Sequence, residues 1–328
     1  MRMGLGIPPI GLPINVCVDI VQQAEARGFE SIWVGESWGT ESCTLVGALL
    51  ARSQRIHVGT GIVSIYMRPP TFTAMQAVTL DVIAPGRARL GLGASTRNIS
   101  SLHGVAWNHP APRMREYVEI LRQTLAGERV TYEGRFYQPK RFQLNTQLSA
   151  PMPIYVAAVN PYMLRLAGEM ADGVLLAWLP ARQVRQSLLE VAKGAQNAGR
   201  SLADLDVACY VHTLVTNDRE RALDQLRHVL VGYCQANTYI QGFRQFGYGD
   251  ILDEVHQRWQ AGDRVGAEAA IPDYMVEELY IFGTTEECHD QLSRFVDAGV
   301  TLPIVASPPT SRLVTDDLHA LLKAFGQV

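Results

Sequence analysis

Several common signatures of function are missing from these 328 residues. No apolar run approaches the roughly 18 residues that a helix needs to cross a bilayer. Neither sign of charge is in excess. The 29 Lys and Arg face 32 Asp and Glu for a net charge of −3, so neither nucleic acid nor an anionic membrane is an expected partner. Five cysteines (Cys17, Cys43, Cys209, Cys234, Cys288) form no C-x-x-C pair, which reads as reduced thiols in a cytoplasmic protein. The eight histidines show no metal-ligand spacing, and no metal site is expected. The start, MRMGLGIPPIGLP, is broken by Gly and Pro and lacks a basic beginning, so it reads poorly as a secretion signal. LGLGASTRN (90–98) has G-x-G without the third glycine or acidic partner of a dinucleotide fingerprint.

What is present is a core and a rhythm. The chain is 47% hydrophobic and 19% charged, ordinary for a globular protein with a sizeable interior. Short apolar runs alternate with helix-length amphipathic stretches. The runs are GLGI (4–7), SIWV (31–34), IHVGTGIV (56–63), ARLGLG (88–93), PIYVAA (153–158), GVLLAW (173–178), LDVACYVHTLV (205–215) and LPIVAS (302–307). Several are apolar on both faces, as in a sheet covered by helices on both sides. Eight strand–helix units predict a closed (β/α)8 barrel of the TIM type, with an open doubly wound sheet as the alternative. Two stretches break the repeat: a hairpin-like insertion at about 127–150 and a helical one at about 236–283. The chain 1–328 therefore reads as one barrel domain with insertions.

Barrel chemistry sits at the C-terminal ends of the strands. There, Gly35-Glu36-Ser37-Trp38-Gly39 fits G-x-S-x-G, the turn that presents a nucleophilic serine. A serine hydrolase acting through Ser37 is one reading. However, no HGGG-type oxyanion element precedes the serine, and the motif follows only the second strand. The other reading takes Glu36, near Trp33 and Trp38, as a carboxylate tuned by burial for proton exchange, or as a rim salt bridge. GTGIVSIYMRPP (59–70) ends in Ser64-Ile65-Tyr66, with Arg68 placed to brace the rim. Gly93, Ala94 and Ser95 suit close approach to a flat ligand. Asn160 and Pro161 suit a helix start just past a strand end, a phosphate site or a plain cap, with Arg165, Arg182 and Arg185 nearby in sequence. His103 is a candidate catalytic group, and Trp38 and Trp178 are candidate pocket walls or core residues.

In order along nearly the whole chain, SIWVGESWG, GTGIVSIYMRP, PGRARLGLGAS with HG after it, PIYVAAVNPYMLRLAGEMADGVLLAW, GAQNAGR and IFGTTEE resemble the luciferase-like monooxygenase superfamily. Within it they look like the deazaflavin-dependent branch that includes methylenetetrahydromethanopterin reductase. The resemblance implies a barrel with insertions, usually a homodimer, and coenzyme F420 at the strand mouths, with FMN as the alternative cofactor. It implies hydride transfer with a small organic substrate, reduction of C=C, C=N or C=O being favoured over oxidation. An FMN-dependent monooxygenase or a non-enzymatic cofactor binder shares the same pattern. By position it places a non-prolyl cis bond at Ser64–Ile65. It maps cofactor contacts to Glu36, Ser37, Ser64, Ile65, Gly93, Ala94, Ser95, Ala157, Ala158, Val159 and Asn160, and proton relay to Glu36, then His103 and Tyr66. Ile7, Trp38, Arg97 and Trp178 would line the substrate pocket. Two positions depart from relatives: Ser95-Thr96-Arg97 replaces a glutamate used in sugar-phosphate oxidation, and Asn160-Pro161-Tyr162 replaces Gly-Pro-basic.

Overall fold

All eight expected strands form, and they close on one another. The computed structural model describes residues 1–235, 237–309 and 314–327. The parallel staves are β1 (Gly4–Ile7), β2 (Ser31–Val34), β3 (His57–Thr60) continued by β4 (Val63–Ser64), β5 (Ala88–Gly93), β6 (Ile154–Ala157), β7 (Gly173–Ala177) and β8 (Asp206–Val215). A three-residue strand, β9 (Ile281–Gly283), adds to the far end of β8, pairing with Thr213–Val215. The last stave, β10 (Leu302–Ala306), pairs with β8 on one side and β1 on the other, which closes the barrel and removes the open-sheet alternative.

Helices follow the strands: α1 (Ile14–Ala26), α2 (Ser42–Leu50), α3 (Pro70–Ile83), α4 (Arg97–Leu102), α5 (Pro110–Leu125), α6 (Pro161–Met170), α7 (Ala181–Asn197) and α8 (Arg219–Cys234). Residues 237–279 carry α9 (Asn237–Phe243), α10 (Gly249–Gln260), α11 (Arg264–Ala269) and α12 (Asp273–Leu279), with a π turn at Arg244–Tyr248. Two more, α13 (Thr285–Asp297) and α14 (Val314–Phe325), flank β10. Local signals set the boundaries. Thr284 and Glu287 form a reciprocal capping box at α13. The stretch after β5 has little helical patterning, and its short α4 was not legible in advance. Residues 127–150 are irregular and cross once, at Val130 and Phe142.

Strand alternation sorts the side chains into separate cores. Leu5, Ile7, Ile32, Val34, Val58, Val63, Ile65, Leu92 and Ala158 pack outward against the helices. Trp33, Tyr155, Leu175, Ala208 and Ile304 fill the barrel interior, with Ile62, Ala157 and Tyr210 against them. A third core lies under residues 237–279 and includes Trp178, Phe243, Tyr248 and Tyr280. All five cysteines are buried and unpaired. No helix is long and apolar enough to cross a membrane among the described residues.

Candidate active site

The strand mouths collect most of the residues expected there, but parity divides them. Ser64 and Ala157 lie on the inward parity of their strands, whereas Ile7, Ile65 and Ala158 belong to the outer core. Ile7 therefore does not line a pocket. Ile65 meets the mouth only through its backbone: its N–H donates to Gly93 O at 3.0 Å, and its carbonyl accepts from Tyr137 Oη at 2.6 Å.

Glu36 is fully engaged. Arg68 grips it in a fork, Nη1 to Oε1 at 2.7 Å and Nη2 to Oε2 at 2.8 Å, and Arg68 Nη2 also reaches Glu41 Oε1 at 2.7 Å. The same carboxylates cap α2. Glu36 accepts from Ser42 N, and Glu41 accepts from Cys43 N and Thr44 N. Burial opposes the Arg68 charge, but its bonds to Glu36 and the nearby negative groups outweigh that and raise its pKa. Trp33 is inside the barrel and Trp38 is 70% exposed, so the two tryptophans do not sandwich this carboxylate. Its partner came from the β4–α3 loop, as the rim-brace reading of Arg68 anticipated.

The G-x-S-x-G match is not a nucleophile elbow. His103 Nε2 bonds the Ser37 main-chain oxygen at 2.7 Å, and no imidazole bonds the Ser37 hydroxyl. Gly39 is there for space: a Cβ would lie 2.3 Å from Pro9 O, where the β1 and β2 exits cross. Bonding through Nε2–H leaves the His103 Nδ1 without a partner among the described residues. Tyr66 donates to Asn108 O at 2.7 Å, and burial pushes its hydroxyl up to about 12. Trp107 Nε1 donates to Ala94 O at 2.8 Å. These three bonds tie residues 103–108 across the β2, β4 and β5 exits.

The third stave breaks earlier than expected. Its non-prolyl cis bond is Gly61–Ile62, not Ser64–Ile65, because β3 ends at Thr60 and resumes only at Val63. Packing puts the break there. A Cβ at Gly61 would sit 1.9 Å from the Tyr210 hydroxyl, so only glycine fits. The Ile62 side chain then covers the inward face of Gly93, within 2.6 Å of where its Cβ would be. Close approach at Gly93 is thus to a neighbouring strand. Ser95 turns the chain with φ of +52°.

At the β6 exit, Asn160 caps α6 by accepting from Met163 N at 3.0 Å, and Pro161 occupies the first turn. The amides of Val159, Asn160 and Tyr162 have no protein acceptor among the described residues, and all three positions face outward or to solvent. This is an open donor cradle at a helix start. The arginines expected to add charge are committed elsewhere: Arg165 to Glu190, Arg182 to Glu278, and Arg185 to Asp297 O.

Trp178 proves to be a core residue. With φ of +57° it stacks 3.9 Å from Tyr233 and 4.4 Å from His212, ring centre to ring centre. Burial pushes the His212 imidazole down to about 4, against a weaker raising contact with the Ser307 backbone. Arg97 is exposed, its guanidinium 5.5 Å from the Trp107 ring centre. Among the described residues no three His, Cys, Asp or Glu side chains group as a metal would need.

This arrangement has counterparts among known proteins. The luciferase-like monooxygenase family profile matches residues 5–302. A 5,10-methylenetetrahydromethanopterin reductase of Archaeoglobus fulgidus is 28% identical over 88% of each chain. An F420-dependent glucose-6-phosphate dehydrogenase of Nakamurella multipartita is 31% identical over 64% of this chain and 66% of its own. The solved coenzyme F420 dependent tetrahydromethanopterin reductase of Methanopyrus kandleri has the same fold. Its TM-score is 0.85 at 24% identity, covering 98% of this chain and 97% of that one.

Proposed function

The chain belongs to the luciferase-like monooxygenase family, and from that premise we propose that it is an F420-dependent oxidoreductase. It moves a hydride between C5 of the deazaflavin and a small organic substrate, with reduction of a C=C, C=N or C=O bond the favoured direction. The observation that carries this reading is the set of open amides at Val159, Asn160 and Tyr162, just past the inward-facing Ala157 at the β6 exit. An uncharged donor cradle fits a phosphodiester, and the relatives named for F420 favour the deazaflavin over FMN.

When bound, the deazaflavin supplies two-electron hydride chemistry. The chain's own residues do the rest. The cradle holds the phosphate. The strand ends at Ser64, Ala94–Ser95 and Ala157 would shape the ring site, with Ile65 and Ala158 contributing backbone. Glu36 and Arg68 brace the Ser37 turn through their two parallel hydrogen bonds. His103 is the proton relay at the mouth, with Tyr66 as the further candidate.

We also read residues 1–328 as one barrel domain, cytoplasmic, without a nucleic-acid partner and paired as a homodimer. Support for the pairing comes from the α2–α3 flank, where Phe72, Met75 and Ile83 are exposed around a cleft of about 540 Å³.

The deciding experiment titrates the purified protein with F420 and, separately, FMN, following quenching of cofactor fluorescence. Saturable binding of F420 with weaker FMN binding is the expected result. Preference for FMN moves the protein to an oxygen-using chemistry, and binding of neither removes the redox reading.

A further inference from the structure

Positive charge collects without acid along one side of the mouth. Between Asp81 and Glu116 the chain carries five arginines and no Asp or Glu. Arg87 and Arg89 bond main-chain carbonyls at the entry of β5, and Arg115 pairs with Glu169. Arg97 and Arg113 are left with no carboxylate in ion-pair reach among the described residues. The other carboxylates of this side are engaged: Glu36 and Glu41 on Arg68, and Glu116 on the amides of Arg135, Phe136 and Tyr137.

Aromatic rings join the two guanidiniums into a strip. Arg97 Cζ lies 5.5 Å from the Trp107 ring centre, the Trp107 ring 6.3 Å from the Tyr66 ring, and Arg113 Cζ 4.9 Å from the Tyr66 ring. Arg113 also lies 4.6 Å from the Phe136 ring and 5.4 Å from that of Tyr137. Its Nη2 bonds Asn108 Oδ1 at 3.3 Å, and its Nε is buried without a partner. The ring faces attract the cation but supply no counter-charge. Arg113 stands in the first turn of α5, where the helix dipole adds positive potential instead of relieving it. A cation held against its local electrostatics, with no counter-charge in the fold, marks a functional demand.

Two strand exits anchor the strip. Tyr66 follows Ser64 at the end of β4, and Trp107 Nε1 donates to Ala94 O just past β5. Both exits belong to the ring site proposed above. Resting on that reading, we propose that Arg113, assisted by Arg97, receives an anionic group of the substrate, a carboxylate or a phosphate, while Trp107 and Tyr66 carry its apolar part. The planar guanidinium fork matches either oxyanion. The amides at the β6 exit take the cofactor's phosphate without an arginine, so the two anions have separate receivers. A neutral substrate would leave the charge of Arg113 as uncompensated as it is in the free protein.

The test titrates the F420-saturated protein calorimetrically with 2-naphthoate, 2-naphthyl phosphate and the neutral 2-naphthamide. At least one anion should bind saturably and about tenfold or more tighter than the amide. Raising salt from about 50 to about 300 mM should weaken the anion and not the amide. The tighter anion identifies the oxyanion. Arg113→Gln should weaken it about tenfold or more, Arg113→Lys less, and Arg97→Gln about threefold. Amide binding, deazaflavin quenching and thermal midpoint should stay at wild-type values. Anions that bind no better than the amide, or undiminished anion affinity in Arg113→Gln, overturn the assignment. So does a loss of F420 affinity in Arg113→Gln, which would give the strip to the cofactor's own acidic tail. If Arg113→Gln lowers the thermal midpoint, Arg97→Gln, at an exposed position, decides by the same criteria. Failure of wild type to bind F420 sinks the redox reading instead, and the titrations without cofactor still judge the arginines.

Discussion

Arg68 and Glu36 meet through two parallel hydrogen bonds of 2.7 and 2.8 Å, with side chains only 9% and 13% exposed. The pair joins the exit of β2 to the exit of β4, and its carboxylate also caps the first turn of α2. Fork geometry and low exposure make this a rigid strut, and rigidity is what a cofactor-bearing rim requires.

Removing one partner leaves the other charge stranded. Arg68→Ala should destabilise the protein by about 3 kcal/mol, and Glu36→Gln by somewhat less because Glu41 still pairs with Arg68. Urea denaturation at neutral pH measures both. The strut role also predicts that Glu36→Gln keeps the shape of the rate-versus-pH profile. Loss of turnover at unchanged stability would instead return Glu36 to proton transfer.

The half-buried His212 predicts an acid-side loss of stability. Its folded pKa is about 4 against 6.5 when free. Above pH 6.5 the ring is neutral in both states and its contribution is complete. From 6.5 down to 4 the unfolded chain takes the proton first, so stability falls by up to about 1.4 kcal/mol per pH unit. Denaturation midpoints at pH 7 and pH 5 should therefore differ less in His212→Phe than in wild type.

Gly61 predicts a steric defect with a partial remedy. Gly61→Ala drives a methyl into the Tyr210 hydroxyl, so a loss of about 1–3 kcal/mol is expected. Adding Tyr210→Phe removes the oxygen and should recover part of it. Identical stabilities for single and double variants would show that the crowding lies elsewhere.

Asn160 separates capping from ligand binding. Asn160→Asp keeps a side-chain acceptor for Met163 N and should leave stability within about 0.5 kcal/mol. The new negative charge beside the open amides should weaken F420 binding by about tenfold, read by fluorescence quenching. Equal affinity would place the phosphate away from α6.

The α2–α3 flank predicts the assembly. Met75→Asp puts a charge into an apolar cleft and should shift the gel-filtration profile from dimer to monomer without unfolding. A wild type that already elutes as a monomer would dispose of the pairing.

The alternation of apolar runs and amphipathic stretches, read along the chain, determined the barrel and its eight staves. Covered parallel strands are apolar on both faces, and that pattern is local. The strand-end rule then selected the segments of the site. Which side of each segment matters was decided only by tertiary structure. Ile7, Ile65 and Ala158 point outward and Ser64 inward because parity follows from register and from where β3 breaks at Gly61, whose carbonyl meets Tyr210 almost 150 residues away. Glu36 reads from the sequence either as a proton-relay carboxylate or as a rim salt bridge, and only the fold supplies its partner, 32 residues on. Trp178 could be a pocket wall or a core residue until the fold packed His212, Tyr233 and Tyr280 around it. Contacts distant in sequence leave no periodic trace, so the identity of a side chain's neighbours, and with it its chemistry, belonged to the fold.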